Sequence, residues 1–312
     1  MTVLFTGATR GRTPHTMMRM GDVLAGIQAT WEFEPDSVLI RFTRGNRGTP
    51  KLFQVLAERH VPLEALESVT LSPGKRGTVV LHAVPRPGAD PLMDAAAGQL
   101  KASADPYRLV LPAERGTLAE YYADELRAVL PGPDTGPPAR YLVSSVGTPL
   151  QFKAYDGKAV FDGDKVSFRW SWTGASSAKW KAGDQTYSVS ELAGIEWRSP
   201  EVFDGYLRLL LRGGTPGAGP GGAGARPARA DQDPAAVVFG LGYGPVHESL
   251  PFAAAVLEAV REAAPALPAA TAPPRDPAGV AERIRHLGEL HSAGLVTDEE
   301  FRSKKAELLA EL

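Results

Sequence analysis

The chain has 312 residues, a formal net charge of −2, 43% hydrophobic and 22% charged residues, which is the composition of a globular protein long enough for two domains. This balance supplies no global field for nucleic acid or an anionic surface. The absence of cysteine excludes disulfides, thiol catalysis and cysteine-ligated zinc, with the cytosol as the default compartment.

The first residues, MTVLFTGATRGRTPHTM, contain one short apolar run at 3–5 and no signal-peptide core. VLFTGATRG resembles the strand-to-turn opening of short-chain dehydrogenases through Thr6, Gly7 and Gly11. Thr13 stands where the last glycine belongs, Pro14 follows, and no YxxxK dyad or regular βαβ alternation comes later. Residues 1–19 therefore read as an unstructured leader, with Met17, Met18 and Met20 as alternative starts.

From residue 20 a pattern begins that is later repeated. FEPDSVLIRF (33–42) and FDGDKVSFRW (161–170) agree at Phe, Asp, Val and Arg in one register. In each, apolar residues alternate (Val38, Ile40, Phe42; Val166, Phe168, Trp170, Trp172), so each is a strand with one buried face, and Trp170 and Trp172 are assigned to the core. The preceding Glu34-Pro-Asp36 and Asp162-Gly-Asp164 are hairpin bends. VPLEALESVTL (61–71) matches YSVSELAGIEW (187–197) and reads in both copies as strand, one-turn bend and strand. Strands at 78–81 and 207–211 follow, then about twenty loose residues, then last strands after Asp105-Pro106 and Asp233-Pro234. Each copy closes with an amphipathic helix, marked by Leu118, Tyr121, Tyr122, Leu126, Val129 and Leu130 in the first and Phe252, Val256, Leu257 and Val260 in the second.

The fold class is thus mainly β with α, two tandem domains formed by duplication. Several antiparallel strands closed by one helix resemble the PH-like architecture, a bent antiparallel sheet plus a C-terminal helix. Over residues 20–264 the element order is similar to an actinobacterial family of unknown function with two PH-like domains. The domains are read as 20–131 and 149–264, with linkers at 132–148 and 265–277. The glycine-rich segment 213–233 lacks GxxxxGK[ST] and reads as a floppy loop.

The last stretch, IRHLGELHSAGLVTDEEFRSKKAELLAEL, carries a glycine stop at Gly294 and a capping box from Thr297 to Glu300, with Val296 and Phe301 as a hydrophobic staple. It resembles the SHOCT family of short C-terminal domains through Leu287, Leu290, Gly294, Leu295, Thr297, Glu299, Glu300, Phe301, Lys304, Lys305, Leu308 and Leu309. The resemblance implies a two-helix hairpin over 278–312. Two such helices bury too little surface to stand alone, so Ile284, Leu287, Leu290, Phe301, Leu308, Leu309 and Leu312 are expected to self-associate.

Chemistry-bearing motifs are sparse. The six histidines make no HxxxH or HExxH spacing, and there is no GxSxG elbow. No catalytic residue, metal or cofactor is assigned. PH-like folds hold anionic groups on basic loops at the open end of the sheet. That resemblance directs attention to Arg41, Arg44, Arg47 and Lys51 in copy one, and to Arg169, Lys179 and Lys181 with Trp172 and Trp180 in copy two. The expected function is a non-enzymatic, cytoplasmic interaction scaffold that oligomerises through its tail and has an unidentified protein partner. The alternative is a peripheral binder of anionic lipid or another anionic ligand; no nucleic acid is expected.

Burial of Leu287, Phe301 and Leu308 against a second tail would contribute roughly 1.5–3 kcal/mol each before ordering costs. Light scattering should then give an oligomer for the full chain and a monomer for Phe301→Asp and for residues 1–265. Identical masses for all three would contradict self-association.

Overall fold

The computed structural model describes residues 22–45, 48–131, 136–213, 229–264, 301 and 304. The chain divides into a compact unit up to Ala263 and a second unit from Ala264. In the second unit Phe301 and Lys304 are helical; the other residues assigned to self-association, the leader and Arg47 lie outside the described residues.

The duplication repeats every strand, the first short helix and the closing helix. In copy one, β1 (Asp22–Ala25), β2 (Ala29–Phe33), β3 (Ser37–Phe42) and β4 (Glu58–Pro62) form a 4-stranded antiparallel meander. A 3-10 turn at Leu63–Ala65 bends the chain into a 3-stranded sheet of β5 (Leu66–Pro73), β6 (Val79–Pro85) and β7 (Arg108–Leu111). Two short helices interrupt the strands, α1 (Lys51–Leu56) and α2 (Pro91–Ala96), and α3 (Gly116–Val129) closes the copy. Copy two repeats this with β8 (Leu150–Lys153), β9 (Gly157–Phe161), β10 (Lys165–Trp170), α4 (Ser177–Ala182), β11 (Gln185–Ser188), β12 (Leu192–Arg198), β13 (Tyr206–Leu211), β14 (Ala236–Val238) and α5 (Val246–Ala263).

Period-two alternation buries Trp31, Phe33, Val38, Ile40 and Phe42 in one copy and Ala159, Phe161, Val166, Phe168 and Trp170 in the other. The two sheets of each copy are joined at one corner by equivalent hydrogen bonds, Ile27 N–H to Val110 O at 2.8 Å and Tyr155 N–H to Val238 O at 3.0 Å. Gly26 is required at the first corner, because a Cβ there would stand 2.7 Å from Val110 O. Tyr122 of α3 stacks on Phe33 at 4.4 Å, while Phe252 of α5 meets Phe152 edge-on at 5.0 Å.

Residues 85–104 are not loose. Asp90 caps α2 by accepting the Leu92 N–H at 2.8 Å, and Pro91 occupies the first helical position. The same buried carboxylate takes Arg59 of β4 at 2.8 Å and the Tyr107 hydroxyl at 2.7 Å. Burial, and then the Asp90 charge, push the Tyr107 phenol well above its ordinary range, so it stays a donor.

The helix so fixed is the surface on which copy two packs. α5 lies against α1 and α2 as well as against β8 and β12 of its own sheets. This explains why Ala253, Ala254 and Ala255 are all buried. Gln99 clamps the copies, donating to Trp197 O and accepting from Ser199 N–H, both at 2.9 Å. Arg261 donates to Gly88 O at 2.7 Å with its guanidinium over the Tyr141 ring at 3.8 Å. The stretch read as a linker is packed over 136–148: Leu142 and Val143 N–H groups donate to Ala89 O, and Val143 is buried. Among the described residues no helix is long and apolar enough to cross a membrane.

Asp90→Ala should cost about 3–5 kcal/mol, since it strands a buried guanidinium. Tyr107→Phe should cost about 1 kcal/mol, the net value of one hydrogen bond. Urea unfolding of both variants checks the order; equal costs would remove Asp90 from its central place.

Candidate functional site

The cations assigned to copy one are dispersed. Arg41 lies on the solvent face of β3 beside two carboxylates, Glu32 and, at 3.6 Å, Glu58. Arg44 is exposed on the following loop, and Lys51 is the exposed first residue of α1. Arg41 is thus already neutralised, and the loop forms no concentrated positive site among the described residues.

Copy two differs at the same positions. The strand registers place Lys153 opposite Lys158 and Lys158 opposite Arg169, so the three cations form one row across β8, β9 and β10. All three are exposed, because their strand neighbours Phe152, Ala159, Phe168 and Trp170 face the core. None has a carboxylate within ion-pair distance among the described residues. They line a concavity of about 620 Å³ together with Ser171 and one carboxylate, Glu248. The Lys153 ammonium also lies 5.4 Å from the Tyr243 ring. Of this row only Arg169 is among the loop cations that the sequence singles out.

Lys179 does not belong with the surface cations. It is fully buried, 2.5 Å from Asp156 and donating to Ala236 O at 2.8 Å. Its place in α4 corresponds to Phe53 in α1. Where Phe53 stacks on Phe42 at 4.4 Å, the Lys179 ammonium lies 4.9 Å from the Trp170 ring. Burial lowers the Lys179 pKa and raises that of Asp156, each opposed by the attraction of its partner. The pair is a structural feature of the core. Lys181 is exposed.

Trp170 is buried and donates its indole N–H to Gly183 O at 2.7 Å. Trp172, assigned to the core by alternation, is 85% exposed. The strand ends at Trp170, and Ser171 turns the chain by donating its N–H to Asp156 O. Trp172 packs edge-on against Trp180 at 5.5 Å.

This turn is tied to its neighbours. The Ser171 hydroxyl donates to Tyr155 O, the Tyr155 side chain packs closely over Gly240, and Phe239 N–H donates to Gly205 O. Tyr155, Trp172 and Phe203, on three different turns of copy two, are exposed.

The repeat seen in the geometry is also a family repeat. A model for a domain of unknown function (DUF4429) matches residues 31–127 and again residues 159–257, more than half of the chain. The chain belongs to the DUF4429 family. A second model, the short C-terminal domain (SHOCT), matches residues 282–309. No curated protein matches the chain.

The two DUF4429 copies thus share a backbone and differ in surface charge. Lys153 and Lys158 have Ala25 and Thr30 as counterparts in copy one, while Arg169 corresponds to Arg41. Among the described residues no group of three or more His, Asp or Glu side chains could hold a metal ion.

Gln28 occupies the place of Asp156 in copy one, so the second core can be rebuilt on the pattern of the first. Lys179→Phe alone should destabilise by about 3–5 kcal/mol by leaving Asp156 buried and unpaired. Adding Asp156→Gln should recover most of that loss. Denaturant midpoints of the two variants check this, and equal midpoints would show that the carboxylate is not the strained partner.

Proposed function

We propose that this DUF4429 protein is a non-enzymatic interaction protein whose second copy docks on anionic groups, with the SHOCT tail serving self-association. Each copy is read as a PH-like module, supported by the 4-stranded meander, the corner, the 3-stranded sheet and the closing helix. The observation that carries the reading is the row of Lys153, Lys158 and Arg169. Neighbouring strands lie about 4.8 Å apart, so the three heads fall within reach of one phosphate-sized anion. The Arg169 fork suits bidentate binding, and the two ammonium groups add point charges. Like charges left unmatched on adjacent strands cost stability, and an anionic partner would relieve that cost.

A membrane surface carrying anionic headgroups fits better than a free ion. Trp172, 85% exposed, directly follows Ser171 of the concavity, and tryptophan favours the headgroup level of a bilayer. The net charge of −2 does not oppose this, because a local patch decides binding within a Debye length of about 10 Å at 0.1 M salt.

Flotation of the full chain with phosphatidylcholine vesicles, with and without phosphatidylglycerol, tests the reading. Binding should require the anionic lipid, fall as salt rises, and be lost in Lys153→Glu/Arg169→Glu. Arg44→Glu/Lys51→Glu should bind as the unaltered chain does. Binding that survives reversal of Lys153 and Arg169 would overturn the proposed site.

A further inference from the structure

A separate concavity of about 620 Å³ opens between the two copies. Its walls come from both: Leu52 and Leu100 on one side, Leu241, Tyr243 and Val246 on the other. The clamp that joins the copies also sets the walls. Leu100 and Lys101 directly follow Gln99, and Pro200 and Glu201 directly follow Ser199, the residues bonded across the junction. The cleft is therefore held open by the fold, in the size range that encloses one small molecule.

Its charge is lopsided. Glu201 is matched by Lys101 at 2.9 Å. Lys51 lines the same cleft with no carboxylate at ion-pair distance among the described residues. His247 lies beside it, 3.7 Å from Glu248. Burial lowers the His247 pKa, opposed by Glu248 and aided by the Lys51 charge; Lys51 is the lining lysine that no carboxylate pairs with among the described residues. Leu241, on the cleft wall, is 102% exposed, the most exposed large apolar side chain among the described residues. An occupant that covers this leucine and faces Lys51 needs an apolar body and one acidic group.

We infer that the cleft between the copies binds a small amphipathic acid, with its apolar body between Leu52, Leu100, Leu241 and Val246 and its anionic group at Lys51. This site shares no lining residue with the cation row and meets it only where the Lys153 ammonium lies over the Tyr243 ring.

The test is titration of the full chain with anilinonaphthalene sulfonate, followed by its fluorescence, with octanoate and octanol as competitors. One saturable site is expected, displaced by octanoate and much less by octanol. Lys51→Gln should weaken the dye about tenfold, the loss of one charge-assisted contact. Leu241→Asp, an exposed position whose replacement leaves the core intact, should weaken it at least as much. Lys158→Glu/Arg169→Glu, which touches no residue of the cleft wall, should leave it unchanged, which separates this site from the proposed lipid surface. No saturable signal, or dye affinity indifferent to both Lys51→Gln and Leu241→Asp, would overturn the inference.

Discussion

A carboxylate cut off from water must be matched on every side, and Asp90 is matched by the Leu92 N–H, the Arg59 guanidinium and the Tyr107 hydroxyl. These partners come from α2, β4 and the residue just before β7, so one side chain fixes a helix against both sheets of the first copy. α2 in turn is the surface that receives α5. The six-residue α2 could not persist on its own propensity; it exists because the carboxylate caps it and the second copy covers it. The clamp at Gln99, the packed 136–148 segment and the cleft beside them all follow from that placement.

Duplication has produced two copies with one backbone and two electrostatic solutions. The first fills the space under its α1 with stacked rings and covers Arg41 with carboxylates. The second places a lysine under a tryptophan, matches it with Asp156, and leaves three surface cations unmatched. A buried ion pair contributes little net stability against well-packed apolar groups. The Lys179–Asp156 pair therefore marks divergence between the copies more than reinforcement of the fold.

The strands and closing helices were legible because period-two and helical stripes are set by burial, and burial recurs at a constant offset in Phe33/Phe161 or Val38/Val166. α2 was not read, although Asp90-Pro91 followed by Gly98 is a start and stop signal. Its slot was equated with the glycine-rich segment of the other copy, most of which lies outside the described residues. Lys179 was misplaced because a lysine beside a tryptophan on a short helix looks the same whether it faces solvent or core. Trp172 was misplaced because alternation does not say where a strand ends. Lys153 and Lys158 were overlooked for a different reason: their meeting with Arg169 is a fact of register between strands, and no window along the chain contains it.

The sharing of α5 has a consequence for synthesis. The first copy is complete at Val129, yet the helix that covers α2 begins at Val246. On the ribosome the side of α2 that receives α5 waits exposed while more than a hundred further residues are made. Chains interrupted in that interval carry a bare docking face that fits the α5 of any neighbouring finished copy, an open route to exchange between molecules.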